Sequence, residues 1–242
     1  MPRRPRRALD GLIFHVLNRG VRRALVFRTA QDYGAFESVL AESVKRTGMS
    51  MFAYCLMPNH WHLVVSPNGS DHLSQFMHWL TLTHTQRWHA CHGTLGSGPL
   101  YQGRYKSFPI QSDAHFLTVC RYVERNPARA QLVETAQDWP WSSLARRCKN
   151  RDTCWLEAWP VPQPAAWLDL VNETDANAEL AGVRTAVRKG APFGDSRWAR
   201  STAELLGLES TMHPRGRPKK GVGSLFAARP DEKTPDPFFK PG

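Results

Sequence analysis

The 242-residue sequence contains no run of 18 or more apolar residues, so no segment of it is suited to cross a bilayer as a helix. Nor does it hold a C-x-x-C pair. Its five cysteines, Cys55, Cys91, Cys120, Cys148 and Cys154, form an odd, widely spaced set that reads as reduced thiols, several of them in the core. No apolar stretch of secretory type follows Met1-Pro-Arg-Arg-Pro-Arg-Arg, and there is no internal repeat. Acidic residues are scarce in one half only: residues 1–130 carry 7 Asp/Glu against 16 Lys/Arg, whereas residues 131–242 carry 14 against 16. Most of the formal charge of +11 therefore sits on the first half, where it creates a field that attracts a polyanion.

What is present is a hydrophobic share of 41%, enough to bury a core, with periodicities that change along the chain. Residues 12–18 read as a strand ended by Gly20. Thr29 and Asp32 are placed to cap a helix with an apolar stripe of Tyr33, Phe36, Leu40 and Val44, and Gly48 stops it. Residues 51–57 suit a central strand, Pro58-Asn59 a turn, and residues 60–66 the return strand. Asp71 is the expected cap of a second helix carrying Leu73, Phe76, Met77, Leu80 and Trp88, broken by the glycines of residues 93–98. Residues 101–110 read as a strand, and Ser112 as the cap of a helix running to about Asn126. The order β-α-β-β-α-β plus an added helix predicts an α+β, ferredoxin-like sheet. After residue 130 the signal weakens to two short helices, near residues 176–187 and 197–206, and a tail rich in Pro, Gly and charge from about Gly221.

Two constellations carry chemistry. In His60-Trp61-His62, residues i and i+2 of a strand share a face about 6.6 Å apart, so two imidazoles can converge on one cation while Trp61, Leu63 and Val65 pack on the other face. The helix after Ser112 puts Phe116, Leu117, Cys120 and Val123 on an apolar face and His115, Thr118, Tyr122 and Asn126 on a polar, water-facing one. Tyr122 is there the candidate nucleophile, and Asn126, one turn on, a candidate third metal ligand. Glu124 is rotated about 200° away from Tyr122 and is the poorer candidate. Histidines 78, 84, 89 and 92 lie at no ligand spacing and read as surface or core-edge residues.

The run Met57-Pro-Asn-His-Trp-His-Leu-Val-Val resembles the metal motif of the HUH superfamily of single-strand DNA endonucleases, most closely the REP-associated tyrosine transposases. Tyr101-Gln-Gly-Arg-Tyr-Lys-Ser resembles that family's following strand, and Arg121-Tyr-Val-Glu-Arg-Asn-Pro-Ala-Arg-Ala its catalytic helix. His15-Val-Leu-Asn-Arg-Gly resembles the opening strand, with Leu17 where Thr is commoner. Arg188-Lys-Gly-Ala-Pro-Phe-Gly-Asp and Pro214-Arg-Gly-Arg-Pro-Lys-Lys resemble the C-terminal extension that the shorter insertion-sequence enzymes lack. The organisation implied is an endonuclease domain over residues 1–145, an extension over 146–220 and a disordered tail over 221–242.

The resemblance implies cleavage and rejoining of single-stranded DNA, with Tyr122 forming a 5′-phosphotyrosine and leaving a free 3′-hydroxyl. A divalent ion on His60, His62 and Asn126 is implied, Mg²⁺ or Mn²⁺ by family habit, with Zn²⁺ also suited to the ligands. The implied partner is a repetitive extragenic palindromic (REP) hairpin with a short flanking guide sequence, bound by a monomer or homodimer without membrane contact, in a bacterial cytoplasm at the nucleoid. Gln102, Arg104 and Lys106, alternating onto one strand face, and Asn18 and Arg19, just past the first strand, are candidate DNA contacts. Arg215 and Arg217 form a compact basic element suited to a narrow minor groove. An insertion-sequence transposase or a replication-initiator or relaxase-type nickase would share the catalytic residues. A non-catalytic RRM-like binder is the reading from another class, against which stands the lack of that module's aromatic strand motif.

Overall fold

The computed structural model describes residues 11–69, 71–174 and 177–213, and the structural statements below concern these. Chain order is β1 (Ile13–Arg19), a 3-10 turn (Val21–Arg23), α1 (Ala30–Thr47), β2 (Ser50–Met57), β3 (His60–Ser66), α2 (His72–Cys91), β4 (Lys106–Ile110) and α3 (Ala114–Glu124). The strands form an antiparallel sheet in the order β2-β3-β1-β4, two interleaved split β-α-β units. The ferredoxin-like α+β fold read from the sequence is the observed one. After α3 come α4 (Asn126–Arg129), α5 (Ser143–Cys148), α6 (Trp167–Asn172), α7 (Asn177–Lys189), α8 (Ser196–Leu206) and α9 (Glu209–Met212).

Local chemistry sets the ends of the first helix. Thr29 accepts from the Asp32 amide while the Asp32 carboxylate accepts from the Thr29 amide, a reciprocal cap of the kind that contributes about 1 kcal/mol. Gly48 ends α1 in the left-handed conformation at φ 63°. Asp71 precedes α2 without a side-chain cap bond, and α3 is capped by Asp113, which accepts from the His115 amide, one residue later than expected of Ser112.

The period-2 alternation of the strands sorts their side chains into two cores. Phe14, Val16, Tyr54, Leu56, Trp61, Leu63 and Val65 pack against α1 and α2. Ile13, Leu17, Ala53, Cys55, Met57, Val64, Phe108 and Ile110 pack against Phe116, Val119, Cys120 and Val123 of α3, then Trp167 and Val171 of α6 and Val183 of α7. Trp61 is fully buried and donates to the Tyr101 hydroxyl, which also meets Nδ1 of buried His84. Truncating so large a core side chain costs about 3–5 kcal/mol.

Both sheet edges are covered by later chain. On the β2 edge, the Leu56 amide donates to Trp141 O and the Tyr54 amide to Ser143 Oγ. On the β4 edge, Phe193 donates to Pro109 O and its carbonyl accepts from Gln111. Later chain is thus packed along parts of both edges, which blunts their pairing with another chain.

The strand expected over residues 101–110 is shorter. Tyr101 makes a single bridge to Gly20, residues 102–104 bend, and regular pairing starts only at Lys106. The Tyr101 side chain is committed to the core while the Gln102 amide donates to Arg19 O, so the segment bulges away before rejoining β1. Gln102 and Arg104 therefore do not share a strand face with Lys106. Arg215, Arg217 and the tail from Gly221 lie outside the described residues.

Candidate active site

The alternation that buries Trp61 points His60 and His62 to the opposite face, toward α3. Their rings are 5.0 Å apart at the centroids and nearly perpendicular, at 82°. His60 Nδ1 lies 2.6 Å from Asn59 Oδ1, in the turn that opens β3. His62 Nδ1 lies 2.9 Å from Nε2 of His15, on β1. With each Nδ1 engaged, neither Nε2 has a hydrogen-bond partner among the described residues. His15 is wholly buried, stacked on His62 with 7° between the rings, and packed edge-on against Phe108.

Tyr122 reaches this cluster from α3. Its ring is edge-on to His62 at 5.8 Å and to His15 at 6.1 Å. The Arg129 guanidinium sits over the phenol ring, 4.3 Å from its centroid, and donates to the Tyr122 carbonyl at 3.2 Å. The face of α3 expected to be wet is closed at this point: Tyr122 is 6% and Asn126 7% exposed. At Tyr122 the side expected to be wet meets the histidines and Arg129, whereas His115 and Thr118, nearer the start of the helix, are partly exposed.

Electrostatics hold the imidazoles neutral. Burial pushes His15 down to about 3, and burial aided by Arg19 and Arg129 does the same to His60. His62 is depressed well below the ordinary histidine value by burial first, then by His15 and His60. Neutral imidazole is the form that donates a lone pair to a metal. Among the described residues no group of three His, Cys, Asp or Glu side chains is arranged to hold a metal ion. A third ligand among the described residues would be of another type, and Asn126, buried just past α3, offers its side-chain Oδ1. Two anchored, neutral imidazoles on one face of β3, each with its Nε2 unengaged among the described residues, fit a divalent cation.

Other expected site residues lie as follows. Asn18 is inside β1 and buried, its amide donating to Gly103 O and its Oδ1 accepting from the Arg19 amide, so it pins the 102–104 bend. Arg19 is partly exposed and pairs with His60 across the sheet, and its charge is felt by His60 and Tyr122. Gln102 and Arg104 are exposed on the bend; Lys106 is partly exposed at the start of β4. Glu124, the poorer candidate in the sequence, is fully buried and binds Ser143, Trp167 and Arg147 instead of the cluster.

Two residues of the cluster went unassigned in the sequence. The signal for His15 was present, since it falls on the strand face opposite Phe14 and Val16. Arg129 was hidden by Pro127, which reads as the end of the helix but instead occupies the first turn of α4 and carries the chain round to place Arg129 over Tyr122. The turn after β1 adds two exposed arginines in the left-handed region, Arg22 (φ 51°) and Arg23 (φ 62°). Asn59 donates to Arg23 O, and Gly20 lets the Ala24 carbonyl approach so closely that a Cβ would stand 2.3 Å from it.

Residues 8–126 match the family described as IS200-like transposases. A REP-associated tyrosine transposase of Haemophilus influenzae, so named in its description, is 24% identical over 127 residues, 49% of this chain and 72% of that protein. A solved structure described as a REP-associated tyrosine transposase bound to a REP hairpin shares the fold. Its TM-score is 0.51 at 21% identity, over 69% of this chain and 96% of that one. No helix among the described residues is long and apolar enough to cross a membrane. The likeness to the IS200-like transposases thus runs through residues 8–126, which hold all of the histidine and tyrosine cluster except Arg129, and it supports an enzyme that cuts and rejoins DNA.

Proposed function

We propose that this protein is a transposase that cleaves single-stranded DNA through a covalent bond to Tyr122, with His60, His62 and Asn126 holding a divalent cation beside it. The observation that carries the reading is the approach of the Tyr122 ring to within 5.8 Å of His62, on the face of the sheet that Trp61 leaves free. In the step proposed, the phenol oxygen bonds to the scissile phosphorus and the bond to the 3′ oxygen breaks. The phenol proton is released, and the departing oxygen takes one up as a 3′-hydroxyl. The phosphodiester bond energy is retained in the tyrosine ester, so attack by another 3′-hydroxyl rejoins strands without a nucleotide cofactor. When bound, the cation neutralises charge on the phosphate oxygens and steadies the leaving oxygen.

The chain's own residues supply the rest. Arg129 fixes the Tyr122 ring from above and places a cation next to the reacting phosphate. His62 is held by His15, and His60 by Asn59. Arg19, paired with His60 across the sheet, and the exposed Arg22 and Arg23 of the turn after β1 are suited to the DNA backbone, as are Arg104 and Lys106. Asn18 serves by holding the bend that presents Gln102 and Arg104. The preferred substrate is a hairpin of the REP type, the ligand named for the structural relative. Incubation of the protein with a 5′- or 3′-labelled single-stranded hairpin and Mn²⁺ tests this. The expected result is a denaturant-resistant adduct carrying the fragment 3′ of the cut, mapped to Tyr122 by peptide mass. Cleavage that leaves two free DNA ends and no adduct would instead mean water is the nucleophile.

A further inference from the structure

We propose that His15 is the positioning residue that fixes the tautomer of His62, keeping the His62 proton on Nδ1 and its Nε2 lone pair facing the site. The inference rests on the metal-site reading above and extends it to a residue that contributes no ligand. Its basis is geometric. His15 Nε2 and His62 Nδ1 are 2.9 Å apart, the rings are parallel within 7°, and His15 is completely buried. Among the described residues no other side chain is hydrogen-bonded to either of these two nitrogens.

Two neutral imidazoles can share this contact in two ways. If His15 Nε2 donates, His62 must carry its own proton on Nε2, and the lone pair that a cation needs is lost. If His62 Nδ1 donates, the His62 Nε2 lone pair is available, and the His15 proton moves to Nδ1. That atom is buried and has no hydrogen-bond partner, so His15 is left with one unsatisfied polar atom under either arrangement. An unsatisfied ring nitrogen in an otherwise apolar setting of Phe108 and neighbouring core is destabilising, and Phe would pack there without it. The histidine is therefore retained for what its Nε2 does to His62, in the way metal-binding histidines are oriented through their second ring nitrogen. Sequence alternation brings His15 to the correct face, and the antiparallel register Leu17↔His62 lets it reach His62 diagonally across β1 and β3.

Two substitutions separate this role from packing. His15→Phe keeps an aromatic ring on His62 and removes both nitrogens. His15→Gln places its terminal amide near the position of Nε2, so its carbonyl oxygen can accept from His62 Nδ1. The primary readout is long-range ¹H–¹⁵N NMR of the histidine rings in metal-free protein at neutral pH, which identifies the protonated nitrogen directly. The wild type and His15→Gln are expected to hold His62 as the Nδ1–H tautomer, and His15→Phe to release it to Nε2–H or a mixture, with thermal melting confirming that each variant folds. In Mn²⁺ titration calorimetry, His15→Phe should bind about 10–100-fold more weakly than wild type, and His15→Gln should recover most of the loss. His62 in the Nε2–H form in the wild type, or unchanged in His15→Phe, would overturn the proposal. Failure of the metal reading has a different signature: wild-type protein with the Nδ1–H tautomer and no Mn²⁺ binding. Should His15→Phe fail to fold, the wild-type tautomer and the His15→Gln spectrum still decide the matter.

Discussion

The Tyr122 and His62 rings meet edge to face, 5.8 Å between centroids and 87° between planes, although they come from α3 and β3 and are 60 positions apart in the chain. The contact joins the two parts of the proposed chemistry, so removing the imidazole should separate binding from cleavage. His60→Ala and His62→Ala are each expected to lower cleavage of a single-stranded hairpin by about 10²-fold or more, the loss typical of one missing transition-state partner. DNA binding should be retained, because phosphate contacts are spread over the arginines. Gel-shift and cleavage assays on the same preparations check this, and chelator should reproduce the cleavage defect in wild type.

Glu124 lies two residues from the proposed nucleophile Tyr122 but is held by structural contacts, and its variants should show that. Burial raises its pKa, opposed by Arg147 and the bonds from Ser143 and Trp167. Glu124→Ala strands those partners and is expected to cost about 3–5 kcal/mol in denaturant melts. Glu124→Gln keeps much of the hydrogen bonding and should still form the covalent adduct once folded. Loss of adduct in folded Glu124→Gln would give Glu124 a part in the chemistry.

His84 should make stability depend on pH. It is buried against the Tyr101 hydroxyl, and burial lowers its pKa from 6.5 to about 3. Between those values the unfolded chain takes up a proton that the folded chain refuses. Its contribution is therefore fully present above pH 6.5 and is lost as pH falls toward 3, at about 1.4 kcal/mol per pH unit. Urea melts at pH 7, 6 and 5 should show His84→Asn, which keeps a polar atom near the Nδ1 position, losing less stability on acidification than wild type. Parallel losses in the two proteins would contradict this.

Much of the fold was legible because its signals are local. The Thr29 cap, the Gly48 stop, the Pro58-Asn59 turn and the alternation through Trp61 each depend on a few neighbouring residues. The same alternation placed His60 and His62 on one face. Exposure at Tyr122 was not legible, because helical spacing defines a polar side without saying what covers it, and the cover comes from β1, β3 and α4. The late start of regular pairing at Lys106 was likewise set at a distance, by Tyr101 reaching Trp61 and His84 across the core. The place of Arg129 over Tyr122 was not legible because a proline that usually ends a helix here begins the next turn.

The most direct test of the central claim is the Tyr122→Phe variant. The substitution keeps the ring between His62 and Arg129 and removes only the hydroxyl, so the fold and hairpin binding should persist. On a denaturing gel with labelled single-stranded hairpin and Mn²⁺, wild type is expected to give cleaved strand and a protein-linked fragment. Tyr122→Phe should give neither. A variant that still forms the linked fragment would mean that another residue is the nucleophile, and the proposed site would be wrong.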